Sequence, residues 1–405
     1  MTGLKRSNWL PLLCCTALFA CGPARSPENI EPVAEGGGYQ AQYRTPPARI
    51  ETPVVLNSAR INAASCTAPL GGQAGSKFGS IPAPLLGERL SRNDLLDVRI
   101  GEDEVLTGRY VVSGDGTLKL PFLDPVPAQG RSPAEVERSL RTALLRERLY
   151  DVAPLLSVRV ADFSGVTVGV SGAVFEPHAV EIGGLRAGDI DRARQEALGA
   201  STDARSLAAA IRAVGGIRPD ADLSAIELVR GGSRYRLDLR GVYEGVGVAD
   251  IMLLAGDEVV VPTRRCFQDD LMRPSPVSPA GVSLFLSNLT QPASNNASSA
   301  IGRDVREIPW GTRFMQAVVD ANCVGGSRAT SASRSAVLFT RNPVTGVSTV
   351  IERDIEDMLR RPDRDDYDPY LLPGDAIACY DSAVTNIAEV GRVLGIVGAA
   401  SLVFE

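Results

Sequence analysis

The chain of 405 residues contains one histidine, His178. That leaves almost no material for a Ser-His-Asp triad or a multi-histidine metal site. No G-x-S-x-G, Walker A or H-E-x-x-H pattern occurs. The segment Gly71-Gly72-Gln73-Ala74-Gly75-Ser76-Lys77 has the composition of a phosphate loop, but its spacing is wrong and no strand precedes it. Asp363, Asp365, Asp366 and Asp368 lack the glycine and the distal glutamate of an EF-hand, so they read as a solvated loop. Paired carboxylates for glycoside hydrolysis are a three-dimensional arrangement, and the sequence singles out no pair. Basic residues form no block or stripe, which argues against nucleic acid as a partner. No catalytic residue, metal or cofactor is expected, and the chain reads as a non-enzyme.

What is present starts at the amino terminus. Lys5 and Arg6 precede a mostly apolar run, Trp9 to Ala20, of signal-peptide length. A bilayer-spanning helix needs about 20 such residues, so this run is too short. Leu18-Phe19-Ala20-Cys21-Gly22 resembles the lipobox of bacterial lipoproteins. The resemblance implies cleavage before Cys21, diacylglycerol on its thiol and, with Gly22 rather than Asp next, delivery to the outer membrane. Each buried acyl methylene contributes roughly 0.8 kcal/mol, so several chains hold a protein firmly.

Removing residues 1–20 takes the formal charge from −6 to −8, with 40 basic against 48 acidic side chains. The 40 Gly, the 27 Pro and only 5% aromatics suit a β-rich exported protein, and the length suggests roughly two to four domains. Cys66, Cys266, Cys323 and Cys379 remain after Cys14 and Cys15 leave and Cys21 is lipidated. An even number in an oxidising compartment predicts two disulfides, with three connectivities open. Cys323 with Cys379 is favoured because both lie in one domain; Cys66 with Cys266 would then clip the linker to the body.

Residues 21–87 are rich in Pro, Gly, Ala and Ser and read as a tether lying against the body, not as a core. In 88–163, Asp94–Ile100 reads as a strand. Tyr110–Pro121 reads as a β-hairpin turning at Asp115-Gly116. Ser132-Pro133-Ala134-Glu135 predicts a capped helix start, with Val136, Leu140 and Leu144 on one face. Strands follow at Leu155–Val160 and Val166–Val170. This order resembles the polysaccharide export (Wza-type) lipoprotein family, and Val170–Pro177 resembles the start of its soluble-ligand-binding β-grasp module. Asn93 stands where that family usually has Gly, and His178 where a Gly usually follows Pro177.

An internal repeat supports the β-grasp reading without the family. Ser206–Gly216 and Phe314–Gly326 are short helices stopped by glycines. Each is followed by two strands (226–230 and 235–239; 337–341 and 349–352) and a Gly-Asp close, Leu253–Asp257 against Leu371–Asp375. A strand follows each close. The expected units are therefore 164–265 and 307–380, joined by a connector at 266–306 that holds the apolar triplet Leu284-Phe285-Leu286.

Residues 381–405 predict a helix of about 23 residues and about 34 Å, close to a hydrocarbon layer of about 30 Å. Ser382, Thr385, Glu389 and Arg392 form a polar stripe, which stops at Arg392. Val384, Ile387, Leu394, Val397 and Leu402 lie on the apolar arc, while Gly391, Gly395 and Gly398 allow close helix contact. One such helix cannot bury Glu389 and Arg392 in lipid cheaply; several in a ring can turn the stripe to a wet lumen.

The expected fold class is therefore α+β and multidomain: a small β-rich export domain, two β-grasp-like domains and a C-terminal amphipathic transmembrane helix. The resemblance implies an outer-membrane, porin-like channel for capsule or exopolysaccharide, a homo-oligomeric ring of about eight copies. It also implies an inner-membrane polysaccharide co-polymerase or exporter as partner. The alternative is a carbohydrate- or peptidoglycan-binding lipoprotein that forms no pore.

Overall fold

A computed structural model describes residues 28–48, 57–72, 81–184, 203–245, 251–288, 306–321, 323–324 and 334–380. The protein is mixed α and β, with separate sheets on separate cores. Cys21 and the expected C-terminal helix at 381–405 lie outside the described residues. Among the described residues no helix is long and apolar enough to cross a membrane.

The first sheet holds β1 (Leu95–Ile100), β2 (Asp103–Val111) and β5 (Leu156–Asp162) in the antiparallel order β2-β1-β5. Leu96, Val98 and Ile100 are buried while Asp97 and Arg99 point outward, the period-two pattern of a half-buried strand. The helix Pro133–Arg146 lays Val136, Leu140 and Leu144 on this sheet. Its start is the expected capping box: the Glu135 N–H donates to Ser132 Oγ, and the Ser132 N–H donates to Glu135 Oε2 at 2.7 Å.

The expected Tyr110–Pro121 hairpin is corrected. Asp115-Gly116 does turn the chain, with Gly116 at φ +80° and Ser113 N–H bonded to Thr117 O. The ladder partner of β2, however, is β1, reached through a turn at Glu102 (φ +61°). Beyond Gly116, β3 (Thr117–Leu118) pairs with β4 (Val126–Pro127) instead.

Two five-stranded sheets follow. In the first, β6 (Val166–Gly172), β7 (His178–Ile182), β8 (Ile226–Arg230), β9 (Ser233–Leu237) and β10 (Glu258–Val261) run in the order β7-β6-β10-β8-β9. In the second, β11 (Gly281–Asn288), β12 (Arg306–Pro309), β13 (Ser335–Arg341), β14 (Ser348–Asp354) and β15 (Ala376–Tyr380) repeat it as β12-β11-β15-β13-β14. The first and last strands of each unit pair in parallel, and the other neighbours are antiparallel. The helices Leu207–Ala213 and Phe314–Asp320 occupy matching places in the chain; Leu207, Ala210 and Ile211 of the one and Phe314, Ala317 and Val318 of the other are buried in the cores of their own units.

The connector expected at 266–306 is therefore corrected as well: it contains β11, an interior strand of the second sheet between β12 and β15. Leu284 is buried there and Phe285 is exposed. The tether does more than lie on the surface, since Tyr43 belongs to the core of the second five-stranded unit and Leu85 to that of the first. Asn29 pairs with the edge strand β14 as a neighbouring strand would, its amide giving to Val350 O and taking from Val350 N–H. Arg353, 4% exposed, donates to the carbonyls of Gln42, Tyr43 and Arg44. The acidic run expected to be a solvated loop is largely buried. Asp366 receives the Ser58 N–H at the first turn of the tether helix Asn57–Ala64, and Asp368 receives the Met315 N–H of the second unit's helix.

Candidate functional site

Three turns of the same kind position the strands that hold the molecule together. In Ser91–Asp94, Leu254–Asp257 and Leu372–Asp375 the aspartate carboxylate takes the N–H three residues back, at 2.7, 2.8 and 2.9 Å. The residue before each aspartate has positive φ: Asn93 (+70°), Gly256 (+85°) and Gly374 (+87°). Asparagine tolerates that left-handed region better than other side chains with a Cβ, which accounts for its standing in the glycine's place. Each turn leads into a strand: β1, β10 or β15.

The first two turns meet, with the Ala255 N–H donating to Ser91 Oγ at 3.0 Å. Around that contact lies a buried polar joint between the first domain and the first five-stranded unit. Asp94, 0% exposed, receives Arg205 Nη1 at 2.7 Å, the Ser164 N–H at 3.0 Å and Ser164 Oγ at 3.1 Å. Arg205, 1% exposed, also reaches Leu253 O and stacks over the Phe163 ring. Gly183 leaves room for it, because a Cβ there would lie 2.5 Å from Arg205 Cγ. Sequence reasoning missed Arg205, whose partner is more than a hundred residues away.

The duplicated turns differ in one respect. Asp257 is gripped by Arg230 through Nε and Nη2, the latter at 2.6 Å. The antiparallel registers of β10 with β8 and of β15 with β13 place Thr340 opposite Asp375, where Arg230 lies opposite Asp257. Asp375 thus sits fully buried with no cationic partner among the described residues, and desolvation pushes its carboxyl up to about 7, against the opposing effects of the Leu372 N–H and the Thr340 hydroxyl. Tyr43 of the tether closes this pocket, its hydroxyl 3.3 Å from Thr340 Oγ1 and from Gln40 Nε2.

The structure brings Cys66 to Cys266 and Cys323 to Cys379 as two disulfides. The first joins the tether to the segment after β10, and the second joins the end of the Phe314–Asp320 helix to β15. The other sequence-singled residues, Cys21, Ser382, Thr385, Glu389, Arg392, Val384, Ile387, Gly391, Leu394, Gly395, Val397, Gly398 and Leu402, lie outside the described residues. His178 is exposed at the start of β7, its Nδ1 2.6 Å from Glu176 O. Among the described residues no group of His, Cys, Asp and Glu is arranged to hold a metal ion.

Two surface features remain. The end of the first domain away from the joint exposes Val105, Phe122, Val152 and Leu155. On its flank, Arg89, Arg131 and Arg138 frame a groove of about 430 Å³. Residues 84–161, which include this sheet, helix and groove, match the family model described as polysaccharide biosynthesis/export protein. The chain carries a polysaccharide-export domain. The match supports the Wza-type resemblance and a role in polysaccharide export, and the family is one of transport rather than catalysis. It is envelope-associated, and its cargo chemistry makes a polysaccharide the expected ligand of the export domain. No curated protein matches the chain.

Proposed function

We propose that the protein is an outer-membrane lipoprotein and one subunit of a homo-oligomeric ring through which a capsule or exopolysaccharide passes without covalent chemistry. The observation that carries this reading is the export-domain match at 84–161. The placement of the chain ends agrees with it. Both the tether that follows Cys21 and the strand β15 that precedes residue 381 are bound into the second β-grasp-like unit, while the export domain stands beyond the first. An acyl group on Cys21 and a helix at 381–405 would thus attach one end of the subunit to lipid. The exposed apolar end of the export domain then faces an inner-membrane exporter or co-polymerase. In this arrangement the ring turns Ser382, Thr385, Glu389 and Arg392 to the lumen and the apolar arc to lipid.

Single cysteines placed along 384–404 in intact cells test the proposal. Labelling by an impermeant thiol reagent near Phe404, together with an oligomeric detergent extract, is the expected result. Protection along the whole tail with a monomeric extract would overturn it in favour of a binding lipoprotein that forms no pore.

A further inference from the structure

The groove on the export domain has an unusual charge balance for a chain with a net charge of −6. It lies at the start of the Pro133–Arg146 helix, lined by Arg89, Arg131, Glu135, Arg138, Ser139 and Thr142 among others, and its volume of about 430 Å³ suits a small ligand. Three guanidinium groups face one carboxylate, and that carboxylate is already engaged. Glu135 Oε2 receives the Ser132 N–H at 2.7 Å and Arg89 Nη1 at 3.0 Å. Those same contacts, the Ser132 N–H first, hold the Glu135 carboxyl below its usual range.

Arg131 and Arg138 have no ion-pair partner among the described residues. Arg131 Nη1 donates only to the neutral Ser139 hydroxyl, at 2.9 Å, and Arg138 stands exposed at the rim. Arg89 Nε is buried with no hydrogen-bond acceptor among the described residues, so the groove-facing contacts of this side chain come from its terminal nitrogens. A planar guanidinium presents paired N–H groups that match the two oxygens of a carboxylate. Among the described residues no aromatic ring lines the groove, so the face of a neutral sugar finds no stacking platform in them.

We propose that this groove binds an acidic sugar of the exported polysaccharide through its carboxylate, with Arg89, Arg131 and Arg138 as the anion-binding side chains. The inference rests on the export reading above and adds to it a substrate class: a polymer carrying uronic acid or a similarly carboxylated unit. The site lies on the flank of the export domain next to the joint, so it would meet the polymer before the β-grasp-like units do.

The test uses the full chain in detergent and isothermal titration at fixed ionic strength, with trigalacturonate, maltotriose and inorganic phosphate as probes. Trigalacturonate is expected to bind, maltotriose to give no heat, and phosphate to bind at least ten-fold more weakly than trigalacturonate. Arg138→Gln, at an exposed position where folding is undisturbed, should weaken trigalacturonate at least five-fold, and Arg89→Gln should do the same. Absence of trigalacturonate binding, equal binding by the Arg138→Gln protein, or phosphate binding as tightly as the sugar would each overturn the proposal. Secretion by cells lacking residues 381–405 separates the two readings. Lost secretion with no sugar binding removes only the acidic-sugar site, whereas retained secretion with sugar binding removes only the conduit.

Discussion

Asp375 makes the stability of the second five-stranded unit depend on pH in a direction opposite to that of an ordinary ion-paired aspartate. Its carboxyl is buried with no cation beside it among the described residues, and burial raises its pKa to about 7 when folded, against 3.8 as the reference for the unfolded chain. A folded pKa raised in this way contributes stability that is complete below the unfolded value and fades as pH climbs through about 7. The full span is about three pH units at ~1.4 kcal/mol each, or ~4 kcal/mol. Most of the part accessible to experiment, about 2–3 kcal/mol, disappears between pH 5 and pH 8.

The protein supplies its own probe. In a chain that starts at residue 21, Trp310 is the one tryptophan, and it lies in the core of the second five-stranded unit with its Nε1–H on Leu271 O at 3.0 Å. Urea unfolding followed by its fluorescence should show the midpoint falling from pH 5 to pH 8. In Asp375→Asn, whose amide oxygen still accepts the Leu372 N–H, that part of the slope should vanish, leaving the variant more stable than wild type at pH 8. Parallel pH profiles for the two proteins would refute the assignment of a neutral, unpartnered Asp375.

The joint offers a second measurement. Arg205→Met leaves Asp94 buried and unpaired and should lower stability by about 3–5 kcal/mol in urea unfolding followed by circular dichroism, whereas adding Asp94→Asn should recover a large part. A double variant no better than Arg205→Met alone would argue against the ion pair as the cause. Cys66→Ser opens a covalent loop with a sequence separation of 200; a loss of about 3–5 kcal/mol is expected, with faster proteolysis of the tether. An unchanged cleavage rate would show that the noncovalent contacts of the tether suffice. At the left-handed Asn93, replacement by Ala should cost about 1 kcal/mol and by Gly close to nothing, read as shifts in the urea midpoint.

Where local chemistry decides the structure, the residues announced it. Ser132, Pro133 and Glu135 specify a helix start by themselves, and the Gly-Asp closes at 256–257 and 374–375 identify a duplicated unit because the turn is made within four residues. The strand β11 escaped notice for the opposite reason. It follows Pro274, Pro276 and Pro279, and its place in the sheet is set by parallel pairing with β15, almost a hundred residues later. The aspartates at 366 and 368 read as solvated because their buried partners, Ser58 and Met315, come from distant segments. The arginine groove is hidden likewise: Arg89 lies more than forty residues from Arg131, and only the backbone pairing of Leu90 with Gly130 and Arg131 brings them together.

The two disulfides also determine how the protein would carry tension. A pull on the chain between residue 66 and residue 379 crosses from Cys66 directly to Cys266, runs through the start of the second unit to Cys323, and crosses again to Cys379. Everything from 67 to 265, including the export domain and the first five-stranded unit, hangs beside that covalent path as an unloaded side branch. A drag or thermal fluctuation transmitted between the two ends would therefore strain the second unit alone, while the surfaces that would meet polymer and partner keep their shape.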